Sequence, residues 1–239
     1  MAFPWSRFPS RHPERTTDFM TILITGANRG IGLELAQRYA ASGESVIGTY
    51  RTTAPEGLDI RFEQLEVTDP ASQAALAQKL EGKPIDVLVC NAGVYHDKGQ
   101  NLADGYPADM WADSFAANVT GVFLTVQSLL PNLQAADHSK IVIISSQMAS
   151  HTRAPGGSYI YRASKAAALN LGRNLAVDLK GLDISVGIYH PGWVQTDMGG
   201  AAAEITPVEA AAGLKDRISA LSLETTGCFE TWDGREHPF

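Results

Sequence analysis

With 239 residues, 44% of them hydrophobic and 19% charged, the chain is long enough for one sizeable core, and no linker divides it. A net charge of −7 without a basic stripe excludes nucleic acid as the main partner, and no apolar run nears the roughly 18 residues that cross a bilayer. Cys90 and Cys228 lack paired spacing, as do His96, His138, His151 and His190, which leaves no disulfide framework and no metal set and suits a reducing cytoplasm.

Residues 1–19 differ from the rest. Pro4, Pro9 and Pro13 stand among Arg7, Arg11 and Arg15 without periodicity, so a disordered extension is expected there, ahead of a single domain over 20–239. Met20, directly before the first strand, is an alternative start.

Thr21-Ile22-Leu23-Ile24-Thr25 is short, β-branched and apolar, the pattern of a buried parallel strand. Gly26-Ala27-Asn28-Arg29-Gly30-Ile31-Gly32 follows, then a helical pattern from Leu33 to Ala41 that stops at Ser42-Gly43. The turn therefore joins a strand to a helix N-terminus, where free N–H groups and the helix dipole favour a pyrophosphate. Gly26 suits the tight turn, Gly30 lets the backbone approach phosphates, and Gly32 lets helix and strand pack closely. No Gly-Lys-Ser/Thr follows, which argues against an NTPase phosphate loop.

The next strand, Glu44 to Tyr50, ends at Arg51. An acid there would accept from a ribose 2′-hydroxyl, whereas an arginine suits a 2′-phosphate. Arg51, with Arg29 as a second cation, favours NADP(H) over NAD(H), since charge-assisted pairs contribute roughly 1.5–3 kcal/mol each.

Strand and helix patterns then alternate as in βαβ units. Ile60 to Val67 reads as a strand, and Thr68-Asp69-Pro70 opens a helix over Ala71 to Leu80. Ile85 to Cys90 is a buried strand ending at Asn91-Ala92-Gly93. Met110 to Leu133 carries a long helical pattern interrupted by Pro131. Lys140 to Ser145 is a strand, Tyr159 to Leu179 a helix, and Ile184 to Tyr189 a strand ending in His190-Pro191-Gly192. Thr206-Pro207-Val208-Glu209 fits a capping box for a helix to about Leu221, and Gly227 to Trp232 reads as the last strand. In such a sheet ligands bind beyond the carboxyl ends of the strands. That places Asn91-Ala92-Gly93 near a nicotinamide ribose and Ser145-Ser146 near a substrate oxygen.

Tyr161 and Lys165, four positions apart on a helix, lie on one face. A fixed cation favours phenolate and lowers a tyrosine from its usual value of about 10. Reaching neutrality takes roughly three units, or about 4 kcal/mol, of which one ammonium supplies part and a cationic cofactor ring more. Such a phenol donates a proton to a carbonyl oxygen or takes one from an alcohol.

Taken together, Thr25-Gly26-x-x-x-Gly30-x-Gly32, Asn91-Ala92-Gly93, Asn118-Val119, Ser146, Tyr161-x-x-x-Lys165 and Pro191-Gly192 occur in an order that resembles the short-chain dehydrogenase/reductase family. The resemblance runs from about Thr21 to the end. Tyr161 to Lys165 and His190 to Met198 look most like the family's bacterial C-factor-type branch. It implies a Rossmann-type, doubly wound α/β domain of about seven parallel strands flanked by helices. It further implies Tyr161 as general acid/base, Lys165 on the nicotinamide ribose, Ser146 orienting the carbonyl and Asn118 anchoring a relay water. Cofactor contacts are implied for Gly26, Asn28, Arg29, Gly30, Ile31, Gly32, Arg51, Asn91, Ala92, Gly93, Pro191, Gly192 and Val194, with Thr196 on the carboxamide. A homodimer or homotetramer is implied as well.

Some positions depart from the family pattern. Cys90 replaces an asparagine, and Glu66, beside Val67, stands where an aspartate often meets the adenine. Ser145 is a substitute for Ser146, and Tyr159 a weaker alternative to Tyr161 because Ala163, not lysine, lies four residues on. Val94, Tyr95, Met148, Trp193 and Met198 form the expected substrate pocket, a mildly aromatic set suited to a small or apolar carbonyl compound. The leading expectation is an NADP(H)-dependent carbonyl reductase or alcohol dehydrogenase. Its alternatives are a cofactor-binding sensor or signalling protein with little turnover and, more remotely, a methyltransferase.

Overall fold

The computed structural model describes residues 19–239, so nearly all of the expected N-terminal extension lies outside the described residues. One sheet of seven parallel strands runs in the order β3-β2-β1-β4-β5-β6-β7. The strands are β1 (Thr21–Ile24), β2 (Ser45–Tyr50), β3 (Arg61–Gln64), β4 (Val87–Cys90), β5 (Lys140–Ile144), β6 (Ser185–His190) and β7 (Phe229–Thr231). This is the Rossmann-like architecture expected. Apolar residues on both faces of a strand suit it to such a sheet, because helices cover both sides.

Alternation along the strands sorts the core into two layers. Leu23, Leu88, Cys90, Ile141, Ile143 and Ile188 point to one side, where α2 (Pro70–Lys79), α4 (Gly121–Gln134) and α5 (Tyr159–Leu179) supply Leu76, Leu129 and Ala168. Ile22, Ile24, Val89, Val142 and Tyr189 point to the other, against Leu35 of α1 (Gly30–Ala41) and Leu214 of α6 (Pro207–Ala220). Helix α3 (Ala108–Phe115) leads into α4 through a π-helical turn over Ala116–Thr120.

Local chemistry sets several boundaries. Asp69 caps α2 by accepting the Ala71 amide at 2.9 Å, with Pro70 at the first helical position. Thr206 and Glu209 bond reciprocally at the start of α6, the box read from the sequence. The strand expected over 60–67 is shorter because the Glu66 amide turns to the Ser72 hydroxyl at 2.9 Å, drawing the chain toward α2. Pro131 does not interrupt its helix. It sits inside α4, close to the C-terminal end, while the departure from regular helix falls at 116–120. Such π turns concentrate at functional sites.

Strands β1, β2 and β3 step outward in sequence, and the chain then returns to pair β4 with β1. The connections after β1 and β4 therefore leave in opposite directions and open a crevice at the carboxyl end of the sheet.

Candidate active site

Thr25 joins the two walls of that crevice. Its hydroxyl accepts the amides of Asn91 and Ala92, each at 3.0 Å. The Asn91 side chain returns hydrogen bonds to the carbonyls of Thr25 at 2.9 Å and Gly26 at 3.0 Å. Gly26 has φ +63°, where a side chain is strained, and a Cβ on Gly32 would lie 2.5 Å from the Gly26 carbonyl oxygen. The N-terminus of α1 then opens onto the crevice. Arg29 at its cap makes no side-chain capping bond, and the first turn holds no acid. Backbone N–H groups and an uncompensated dipole, reached over small residues, fit a dinucleotide's phosphates. Asn28 and Ile31 are half-buried in the same turn.

At the far end of the crevice Tyr161 and Lys165 sit on the first turns of α5, 8% and 6% exposed. The Lys165 Nζ lies 5.7 Å from the centre of the Tyr161 ring and donates to the Ile144 carbonyl at 2.9 Å. Ser146, buried just past β5, accepts the Met148 amide at 3.1 Å and lies beside the Tyr161 phenol. Ser145 is committed elsewhere, its hydroxyl donating to the Lys165 carbonyl at 3.2 Å. Tyr159 is 39% exposed and meets the edge of Tyr106, so neither alternative shares the geometry of Ser146 and Tyr161.

Asn118, on the π turn, accepts the Val94 amide at 2.8 Å and donates to the Val94 carbonyl at 2.9 Å and the Ser164 hydroxyl at 3.0 Å. Both of its side-chain donors are thus engaged. A Cβ on Gly93 would meet Asn118 Oδ1 at 2.9 Å and Lys165 Nζ at 3.3 Å. Only a residue without a side chain lets the chain pass so close to both.

The expected depression of the Tyr161 phenol by Lys165 is not produced by the protein's own groups. Burial pushes the phenol up to about 12, hydrogen bonding with Ser146 pulls it back, and Tyr95 and Asp97 push it up. Burial brings Lys165 down to about 8. Desolvation outweighs the short reach of one ammonium. Burial also raises the Cys90 thiol to about 12 and lowers His190 to about 4, which fits both as packing groups.

Arg51 and Glu66 stand together at the ends of β2 and β3, with 3.9 Å between guanidinium and carboxylate, and Arg51 is largely exposed. Val67 packs against Gly121. Arg29 pairs instead with Asp197, across from the glycine turn on the segment after β6. In that segment Pro191 and Val194 are buried, Gly192 has φ +91°, and the Thr196 hydroxyl accepts the Gly199 amide at 3.1 Å. Of the expected pocket residues, Tyr95 stacks on Tyr161 with ring centres 4.1 Å apart, Val94 holds Asn118, and Met148 adjoins Ser146. Trp193 and Met198 are 45% and 40% exposed on the segment after β6.

Three participants went unrecognised in the sequence: Asp97, Ser158 and Ser164. Ser164 faces Asn118, the Ser158 hydroxyl meets Tyr95, and Asp97 receives amides of α5. Their contacts span 46 to 64 residues, beyond any local pattern.

The family model for short chain dehydrogenases matches residues 20–205. The chain is 32% identical over 187 residues to the 3-oxoacyl acyl-carrier-protein reductase FabG of Escherichia coli K12, covering 74% of each chain. It is 36% identical over 157 residues to C-signal of Myxococcus xanthus, covering 65% of this chain and 93% of that protein. A solved NADPH-bound carbonyl reductase from chicken fatty liver superposes with a TM-score of 0.84 at 30% identity, over 92% of this chain and 99% of the other.

Proposed function

The chain belongs to the short-chain dehydrogenase family, and from that premise we propose that it is an NADP(H)-dependent carbonyl reductase or alcohol dehydrogenase with Tyr161 as its general acid/base. The observation that carries this reading is the buried Tyr161 phenol, beside Ser146 and with its ring centre 5.7 Å from the Lys165 Nζ, at the far end of the crevice.

A nicotinamide, when bound, supplies or accepts the hydride; the protein supplies position and the proton. The glycine turn and the N-terminus of α1 hold the phosphates, with Arg51 toward a 2′-phosphate, and Lys165 holds the nicotinamide ribose. Ser146 uses a lone pair on the Met148 amide, and its O–H, which faces the Tyr161 phenol, would turn to orient a carbonyl oxygen and stabilise charge growing there. A phenol kept protonated by burial gives its proton to that oxygen as the alcohol forms, and takes one back in the reverse direction. In this reading a relay water anchored by Asn118 and leading to Lys165 restores the proton.

Cofactor preference follows from Arg51, and the NADPH named with the chicken reductase supports it. The free thiols of Cys90 and Cys228 support a cytoplasmic setting, and the family likeness supports a homodimer or homotetramer. The test is a panel of aldehydes, ketones and quinones offered with NADPH and, in parallel, NADH. Oxidation of NADPH by at least one carbonyl compound is expected; cofactor binding without any turnover would defeat the proposal.

A further inference from the structure

We infer that Asp97 is a positioning residue for the reaction: its buried carboxylate takes the place of the missing N-cap of α5 and fixes Tyr161 against the substrate crevice. The inference rests on the reading of Tyr161 as the acid/base group.

Helix α5 begins without a cap of its own. Gly156 and Gly157 precede it at φ +85° and +69°, and Ser158 at the cap position is left-handed at φ +48° with no side-chain capping bond. The Ser158 hydroxyl is held instead by the Tyr95 hydroxyl at 2.6 Å. The first amides of a helix need acceptors, and leaving them buried without one is costly. Asp97 meets that need from another part of the chain. Its Oδ2 accepts the Ile160 amide at 2.8 Å, and the Tyr161 amide lies 3.2 and 3.3 Å from its two oxygens. These are the second and third helical positions, the ones a local cap would serve.

Asp97 is 1% exposed. A carboxylate is seldom so deeply buried unless it is paired, and here two amides at the start of α5 donate to it. The same short segment stacks Tyr95 on the Tyr161 ring and, through Val94, grips Asn118. Four residues, 94 to 97, thus tie the crevice wall to the ring, the backbone and the helix start of the proposed acid.

The carboxylate also acts through space. The titratable and charged groups facing Tyr161 are Tyr95 and Asp97 from the segment after β4 and Lys165 from α5, with the Ser146 hydroxyl beyond β5. On α3, which packs against α5, Asp109 and Asp113 are exposed. A negative charge at Asp97 disfavours phenolate and keeps the proton on Tyr161, which suits a donor.

Two variants test this. Asp97→Asn removes the charge and keeps one acceptor oxygen, and Asp97→Ala removes both. In Asp97→Asn, loss of the charge favours phenolate, so the pH at which alcohol oxidation switches on should fall by about one unit. Its kcat should drop about tenfold through looser placement of the phenol, with NADPH binding unchanged. In Asp97→Ala, amide hydrogen exchange should quicken at Ile160 and Tyr161 ahead of the rest of α5. A general loss of stability would move neither the pH limb nor those two amides selectively. An Asn variant with the parental limb and kcat, or unchanged exchange at both amides in the Ala variant, overturns the inference. If Asp97→Ala does not fold, the exchange comparison passes to Asp97→Asn, where the Tyr161 amide should still quicken. If the parent protein turns over no carbonyl or alcohol, the proposed function fails by itself. Selective exchange at the two amides then decides whether Asp97 anchors α5.

Discussion

The Tyr95 ring lies on the Tyr161 ring with centres 4.1 Å apart and planes inclined by 21°. One face of the proposed acid is therefore covered by a neighbour whose own hydroxyl is held by Ser158 at 2.6 Å. Stacking of this kind contributes about 0.5–1.5 kcal/mol beyond the area it buries. Tyr95→Ala should free the phenol to rotate and lower kcat/KM about tenfold, at roughly 1.4 kcal/mol per decade. Tyr95→Phe keeps the stack and should retain most activity. Equal losses in both variants would point to the Ser158 bond in place of the stack.

Replacing Tyr161 by Phe removes only the hydroxyl. General acid catalysis contributes about 10²- to 10⁴-fold, so kcat should fall by at least about a hundredfold. Binding of NADPH, followed by fluorescence, should hold. Undiminished turnover would remove Tyr161 from the reaction.

Lys165 gives a stability test with a definite sign. Burial lowers it from 10.5 to about 8, so between those values the unfolded chain binds the extra proton and stability rises with pH. At neutral pH the burial costs about 3 kcal/mol, offset in part by the bond to the Ile144 carbonyl, about 1–3 kcal/mol. Lys165→Met should melt at or above the parent at pH 7, and the difference should turn in the parent's favour as pH rises from 8 to 10. Tyr161 works the other way, since its raised phenol loses stability above the ordinary tyrosine value, but both proteins share that loss. A melting difference that stays flat from pH 7 to 10 would contradict the assignment.

Arg51 is the exposed cation at the end of β2, with Glu66 3.9 Å away. Arg51→Asp should move the ratio of kcat/KM for NADPH over NADH about ten- to hundredfold toward NADH. Arg29→Ala should change that ratio less, because Arg29 is already paired with Asp197. An unchanged ratio in the Arg51 variant would refute the reading of cofactor choice.

Gly93 lies close against Asn118 and Lys165. A methyl group there would press within 2.9 Å of Asn118 Oδ1 and 3.3 Å of Lys165 Nζ. Overpacking of this order costs about 1–3 kcal/mol, so Gly93→Ala should melt lower and lose kcat as Asn118 and Lys165 are pushed aside. Parental kcat in a variant that melts lower would show that the placement of Asn118 and Lys165 has no part in proton return.

Much of this molecule is legible along the chain because its signals are local. The apolar run before Gly26, the glycine turn, Pro70 behind Asp69 and the box at Thr206 and Glu209 each involve residues a few positions apart. Backbone geometry then dictates strand, turn or helix almost alone. The spacing of Tyr161 and Lys165 is of the same kind, so their shared helix face could be read directly. Pro131 shows the limit: the sequence marks a poor helix former, yet burial of Leu129 and Leu133 carries α4 through it.

What only the tertiary structure decided is who meets whom across long stretches, and what water is excluded when they meet. The return of β4 to the side of β1 brings Asn91 onto Gly26, 65 residues earlier, and Asp97 onto an α5 that lacks its own cap. Burial then sets the phenol and the ammonium in directions that spacing could not foretell. Side-chain periodicity is a property of neighbours in the chain, whereas desolvation and non-local hydrogen bonding depend on everything packed around a group once the sheet has closed.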